Sequence, residues 1–265
     1  MRLEELFPAG DYRHHLTLRR APPREFFAPW DETGAVLKER IRWLEAEAGR
    51  YAALLPEGGA LLAEFTALLP EWGVDPAGGA GPEHGSIVAL GRRLEPDVLF
   101  LSRDEAGRFR LRGGALCFPT GWALTEKLGH TLEFIHDVVP GLNSALGPSI
   151  HQMLGRMKPG LAYLRDNWGL AASDELNLHP AREIPPPEPP CAPERMWLRV
   201  EHQALVALPE TQGIAFGIRI ALHRLDAVLR GPAGPGLRHA LATMPAEMAA
   251  YKRLDKVRSY LVNVV

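Results

Sequence analysis

The spacing of apolar residues changes period along this chain, and those changes predict its elements. Leu37, Ile41, Leu44, Ala48 and Tyr51 recur at helical spacing, while Lys38, Glu39, Arg42 and Glu45 take the other faces. This predicts an amphipathic helix ended by Pro56-Glu57-Gly58-Gly59. A second helix is expected over 60–69, a loop at Gly78-Gly79-Ala80-Gly81-Pro82 and a short helix over 86–94, with Pro96 opening a turn through Val98-Leu99-Phe100-Leu101. The period then falls to two: Arg108-Phe109-Arg110-Leu111-Arg112 alternates strictly, and 115–118 continues as strand after a break at Gly113-Gly114. One or two helical turns are expected over 122–128, a helix near 149–157 and a strand over 161–170. The proline-rich stretch 184–193 reads as a stiff, extended connector.

Two runs alternate most clearly. Over 197–205, Leu198, Val200, His202 and Ala204 oppose Trp197, Arg199, Glu201, Gln203 and Leu205. Over 214–220, Ile214, Phe216, Ile218 and Ile220 oppose Ala215, Gly217 and Arg219. The short loop 208–213 between them predicts an antiparallel hairpin. Helical period returns over 224–262, broken at Gly231-Pro232 and Pro245. Residues 1–31 read as an irregular arm, laid across the body with Phe26, Phe27 and Trp30 as anchors. The resulting order predicts an α+β protein with an antiparallel sheet, able to carry helices on one face and to leave a cavity beneath them.

Composition narrows the function classes. The 265 residues are 46% hydrophobic and 23% charged, ordinary for a soluble globular chain with room for one large domain. A net charge of −2 lacks the basic excess of a nucleic-acid binder, and Arg19-Arg20 and Arg92-Arg93 are too short to supply one. Cys117 and Cys191 form no CxxC, which excludes a zinc knuckle or an iron–sulfur cluster from this chain alone. They are expected as reduced thiols. No apolar run reaches the length of a membrane span, and the N-terminal stretch has no apolar signal region, so a cytoplasmic protein with no membrane partner is expected.

The remaining candidates are polar residues in apolar settings. Arg219 stands among small neighbours, Ala215, Gly217 and Ala221, as either a solvated charge or a pocket wall offering donors to an anion or a polarised oxygen. Arg199, Glu201 and Gln203 share one face of their strand, and Tyr163, Arg165, Asn167 and Gly169 share one face of the preceding strand. Such polar faces on three strands fit a solvated sheet or a ligand-filled cleft, in which Glu201 would hold a cationic amine or move a proton. His136, between Ile135 and Asp137-Val138-Val139-Pro140, is either hydrogen-bonded packing or a ligand to a buried metal. The glycine loops of nucleotide sites, the G-x-S-x-G elbow and H-E-x-x-H are all absent. Histidine spacing gives no compact multi-histidine site, so ligation by His136 favours a preformed cofactor such as haem over a bare ion.

Several motifs then fall in order: CFPTGW at 117–122 with Lys127 and Gly129, IHDVVP at 135–140, LRDNWGL at 164–170, DELNLHP at 174–180, LRVEHQALVALPETQGIAFGIRI at 198–220, and Tyr251-Lys252. With the weaker Trp30-Asp31 and Lys38 region they cover most of the chain, and the ordered set resembles the α subunit of haem-dependent oxidative N-demethylases. The resemblance implies a single PAS-like haem domain over 1–265, with an N-terminal arm at 1–31 and C-terminal helices at 223–265. It implies haem b between helices and sheet, with His136 as the protein ligand to iron and His130 and His151 as rivals. Arg219 would reach the oxygen site and Glu201 the substrate, while Trp122, Lys127 and Arg165 would contact the haem edge or propionates. The implied reaction demethylates a small, dimethylamine-like alkylamine with O2. Its electrons come from NADPH through FMN and a 2Fe–2S centre on a separate reductase. Val138 stands where a proline is usual and His202 where an arginine is expected, which opens the substrate to other amines. A haem-based gas sensor or carrier without turnover is the alternative, and a haem-free scaffold with wet strand faces is a third.

Overall fold

The long alternating hairpin forms the middle of a sheet. The computed structural model describes residues 2–75 and 85–263, and the loop expected at 78–82 lies outside them. Among the described residues seven strands occur: β1 (Arg19–Ala21), β2 (Ala52–Leu54), β3 (Asp97–Arg103), β4 (Phe109–Ala115), β5 (Ala162–Ala171), β6 (Trp197–Ala207) and β7 (Ile214–Arg224). They form one antiparallel sheet in the order β1-β5-β6-β7-β3-β4-β2. Eleven helices accompany them: α1 (Arg24–Phe27), α2 (Ala35–Tyr51), α3 (Gly59–Leu68), α4 (Ile87–Gly91), α5 (Leu124–Lys127), α6 (Leu132–Asp137), α7 (Leu142–Gly155), α8 (Leu225–Arg230), α9 (Gly234–Thr243), α10 (Ala246–Tyr251) and α11 (Arg258–Asn263). The α+β class with an antiparallel sheet is as expected. Among the described residues no helix is long and apolar enough to cross a membrane.

Two local expectations are corrected. Val98-Leu99-Phe100-Leu101 is not a turn but the interior of β3, which lies between β7 and β4. All four residues are buried, because both faces of that strand are covered and its apolar positions therefore do not alternate. Gly113-Gly114 does not break β4. Gly114 pairs with Leu99 on one side and Ala53 on the other. A Cβ placed there would stand 2.3 Å from the Val98 carbonyl oxygen, so the strands meet at this distance because the side chain is missing. The helix expected near 149–157 is α7, which begins earlier, at Leu142, and carries Pro148 inside it.

Side-chain alternation divides the sheet into two faces. The back face carries Val98, Phe100, Ala204, Val206 and Ala215, which pack on Phe26, Phe27, Leu44 and Phe65 from α1–α3 and on Trp72 from the turn after α3. Further along the same face, Leu198, Val200 and Trp168 pack on Leu225, Leu237, Met248 and Leu261 from α8–α11. The front face carries Leu99, Leu101, Tyr163, Leu205 and Ile218, which meet Leu132, Ile150 and Leu154 of α6 and α7.

Candidate functional site

Register assembles the polar residues of the front face. Arg165 lies opposite Gln203 and Asn167 opposite Glu201 across β5–β6, while Gln203 faces Ile218 and Glu201 faces Ile220 across β6–β7. Arg165, Asn167, Glu201 and Gln203 therefore form one patch, bordered by an apolar wall. Phe216, Ile220 and Trp122 in that wall are only half-buried, although all three pack against the front-face core.

Glu201 is held from three directions. Its Oε1 accepts from Thr120 Oγ1 at 2.6 Å, and its Oε2 accepts from Gln203 Nε2 at 2.8 Å and Asn167 Nδ2 at 3.2 Å. Thr120 is placed by a short bridge to Leu178 and in turn accepts from Arg199 Nε at 3.0 Å. Arg199 is 1% exposed and also donates to the carbonyls of Phe118, Glu175 and Leu176. Its guanidinium clamps two loops onto β6 and does not line the patch. Deeper still, Arg40 on α2 donates to Asp97 Oδ1 at 2.5 Å. Asp97 accepts the backbone N–H groups of Cys117 and Phe118 at 2.6 and 3.0 Å, fixing the start of the loop that carries Thr120. Burial pushes the Cys117 thiol up to about 12, so it stays protonated and inert.

His136 enters from α6, whose first turn is capped by Thr131 and whose Leu132 is sunk in the front-face core. Burial first, and Arg165 after it, lower the His136 ring to about 4, against an opposing pull from Glu133. The imidazole is neutral at pH 7, and among the described residues neither ring nitrogen has a hydrogen-bond partner. Arg165 is similar. Burial lowers its pKa, Glu201 and Asp166 partly offset this, and its guanidinium makes no hydrogen bond or close ion pair among the described residues. A free imidazole and a desolvated cation thus share one half-open apolar face, an arrangement that takes a metal-bearing group with acidic side arms.

The two rival histidines are differently engaged. His130 is exposed and stacked on Phe134 at 3.9 Å between ring centroids. His151 Nε2 is paired with Glu133 Oε1 at 2.7 Å. Lys127 sits 5.8 Å from the same Phe134 ring, while Trp122 borders the front-face wall.

Arg219 lies elsewhere, which corrects the expectation that the polar residues of all three strands share one face. Its Cα partner is His202, on the back face, because residue 219 alternates with Ile218 and Ile220. Its Nε donates to the Phe26 carbonyl and its Nη2 to the Ala28 carbonyl, both at 2.7 Å, and its Nη1 is paired with Glu95. Trp30 covers it at 4.4 Å, although half of that tryptophan's own surface is exposed. Beside it His202 Nδ1 meets Asp166 Oδ1 at 2.5 Å, at a cavity of about 300 Å³ under the arm.

Thr120 and Lys252 border the front-face patch, and sequence reasoning gave neither a role. Thr120 lies inside CFPTGW, but no periodicity reveals that a loop hydroxyl meets a carboxylate 81 residues later. A family model described as "Haem-dependent oxidative N-demethylase, alpha subunit-like" matches residues 72–262, which takes in β3–β7, α4–α10, all but the last residue of α11 and every front-face residue discussed above.

Proposed function

The chain belongs to the haem-dependent oxidative N-demethylase α-subunit-like family. On that premise we propose that it binds haem b on the front face and demethylates a small, dimethylamine-like alkylamine with O2, drawing electrons from NADPH through FMN and 2Fe–2S on a separate reductase protein. One observation carries the reading: the neutral imidazole of His136 beside the guanidinium of Arg165, neither with a hydrogen-bond partner among the described residues. These residues fit the cofactor. His136 offers a nitrogen lone pair to iron, and Arg165 offers a charge to a propionate carboxylate. Trp122 and Lys127 are the proposed edge contacts, with Phe216 and Ile220 supplying an apolar wall that excludes water. The same reading takes the chain as one PAS-like domain with helical additions, working in the cytoplasm.

Haem held there supplies the oxygen-activating chemistry. The protein's own contribution is orientation and charge. Glu201, fixed by Thr120, Asn167 and Gln203, receives the N–H groups of an alkylammonium and takes its proton at a carboxylate oxygen. In this reading Arg219, bound to Glu95 on the other face, takes no part at the oxygen site. The absorption spectrum of the purified protein with added haemin tests the proposal. A Soret band that His136→Ala abolishes supports it, and a protein that cannot be loaded with haem refutes it. Amine-dependent O2 consumption with an artificial reductant then separates an enzyme from a sensor or carrier.

A further inference from the structure

Lys252 has no part in that scheme, yet its side chain ends at the same site. It follows directly on α10, and its Nζ donates to the Trp168 carbonyl at 2.6 Å while lying 5.2 Å from the Trp168 ring centroid. The same ammonium donates to Asn167 Oδ1 at 3.5 Å. At the other end of that amide, Asn167 Nδ2 donates to Glu201 Oε2 at 3.2 Å. An ammonium carries only donors and a carboxylate only acceptors, so the amide between them fits in one direction. Turned over, it would aim N–H at the ammonium and a carbonyl oxygen at the carboxylate.

We propose that Lys252 is a positioning residue: through Asn167 it locks the Glu201 carboxylate in the orientation that receives a cationic amine. The inference rests on the reading of Glu201 as the amine-holding group. It goes further by tying amine recognition to the C-terminal helices.

Two effects of Lys252 oppose each other, which makes the idea testable. Its hydrogen bonds order the acceptor, but its charge, with that of Arg165, repels an incoming ammonium. Burial lowers Lys252 to about 8, with Glu201 raising it and Arg165 lowering it further. The groups facing this cluster are Arg165 from β5, Glu201 from β6 and Tyr251 from α10, whose phenol is raised by burial and by Glu201. A neutral Lys252 still has N–H bonds to donate, so amine affinity should rise as pH passes through 8.

The experiment is calorimetric titration of dimethylammonium chloride into the haem-loaded and the haem-free protein, from pH 6.5 to 9. Lys252→Met should weaken binding roughly three- to tenfold, the effect of one hydrogen bond, and should remove the rise near pH 8. Lys252→Arg should restore the affinity without restoring the rise. Asn167→Ala should show the same weakening, and the double variant should show no more than either alone. Lys252→Arg, Asn167→Ala and the wild-type pH profile keep the proposal open to refutation if Lys252→Met does not fold. Tighter binding in Lys252→Met would mean that the residue acts by charge alone. Unchanged binding with a lower melting temperature would mean that it only ties α10 to β5. Either result overturns the proposal. Wild-type protein that binds no amine, or binding that Glu201→Gln leaves intact, removes the Glu201 reading and this inference with it.

Discussion

Arg219→Met should unfold the protein more easily without touching the chemistry of the front face. The guanidinium is 7% exposed and has three protein acceptors: Glu95 and the carbonyls of Phe26 and Ala28. Glu95 is 5% exposed, and beyond Arg219 it accepts the backbone N–H groups of Trp30 and Asp31 at 2.8 and 3.0 Å. Removing the arginine leaves a buried carboxylate with no counter-charge. Breaking a buried pair in this way costs about 3–5 kcal/mol. For a chain of this size that corresponds to a fall in melting temperature of roughly 6–20 °C. Urea unfolding followed by tryptophan fluorescence measures the loss directly, since Trp30 covers the pair. The double variant Arg219→Met/Glu95→Met removes both charges and should recover much of the loss. Amine affinity and haem loading, measured well below the melting temperature, should stay at wild-type values in both variants. An Arg219→Met protein that melts normally but no longer binds amine would refute the reasoning and return Arg219 to the reactive site.

Three further outcomes follow from the same geometry. Because the folded His136 ring titrates near 4, below the unfolded value of about 6.5, keeping it neutral contributes stability above pH 6.5 that is lost as pH falls toward 4. In the haem-free protein, His136→Gln should flatten the stability–pH curve over that window, as read by chemical unfolding at several pH values. Thr120→Val removes the 2.6 Å bond to Glu201 and strands the Nε of Arg199, so it should cost about 1–3 kcal/mol of stability and loosen dimethylammonium binding, by denaturation and calorimetry. Gly114→Ala forces a methyl group to 2.3 Å from the Val98 carbonyl oxygen and should cost upwards of ~2 kcal/mol, seen as a lower melting temperature.

The β6–β7 hairpin was legible because each strand alternates strictly and the connection between them is short. The expectation that Glu201 and Arg219 share a face failed, because alternation within one strand does not reveal which face of its neighbour it meets. Closing the loop at Ala207 and Ile214, as observed, or at Leu205 and Ile214, as the runs alone suggest, pairs odd residues of β6 with even residues of β7. Arg219 must then face away from Glu201 in either register. β3 was illegible for the opposite reason: a strand covered on both faces has no period to detect. β1 and β2 are three residues each, too short to carry a pattern. Arg40 sits on a helix whose other charges are exposed or half-buried, and only partners more than 50 residues away, Gly91 and Asp97, explain its burial. The lowered pKa of His136 depends on packing between α6 and the front face, which no local stretch encodes.

The Arg40–Asp97 contact sets a lower limit on what can be cut away. α2 lies outside the matched span 72–262, yet its arginine neutralises the carboxylate that anchors the Thr120 loop. A fragment trimmed to the matched span keeps Asp97 but loses its counter-charge, leaving an ionised group enclosed in apolar surroundings. Glu201 would then lose a fixed hydroxyl donor even though every residue touching it survived the trimming. The arrangement proposed to hold the amine is therefore a property of the longer chain, and α2 belongs in any minimal version of this protein.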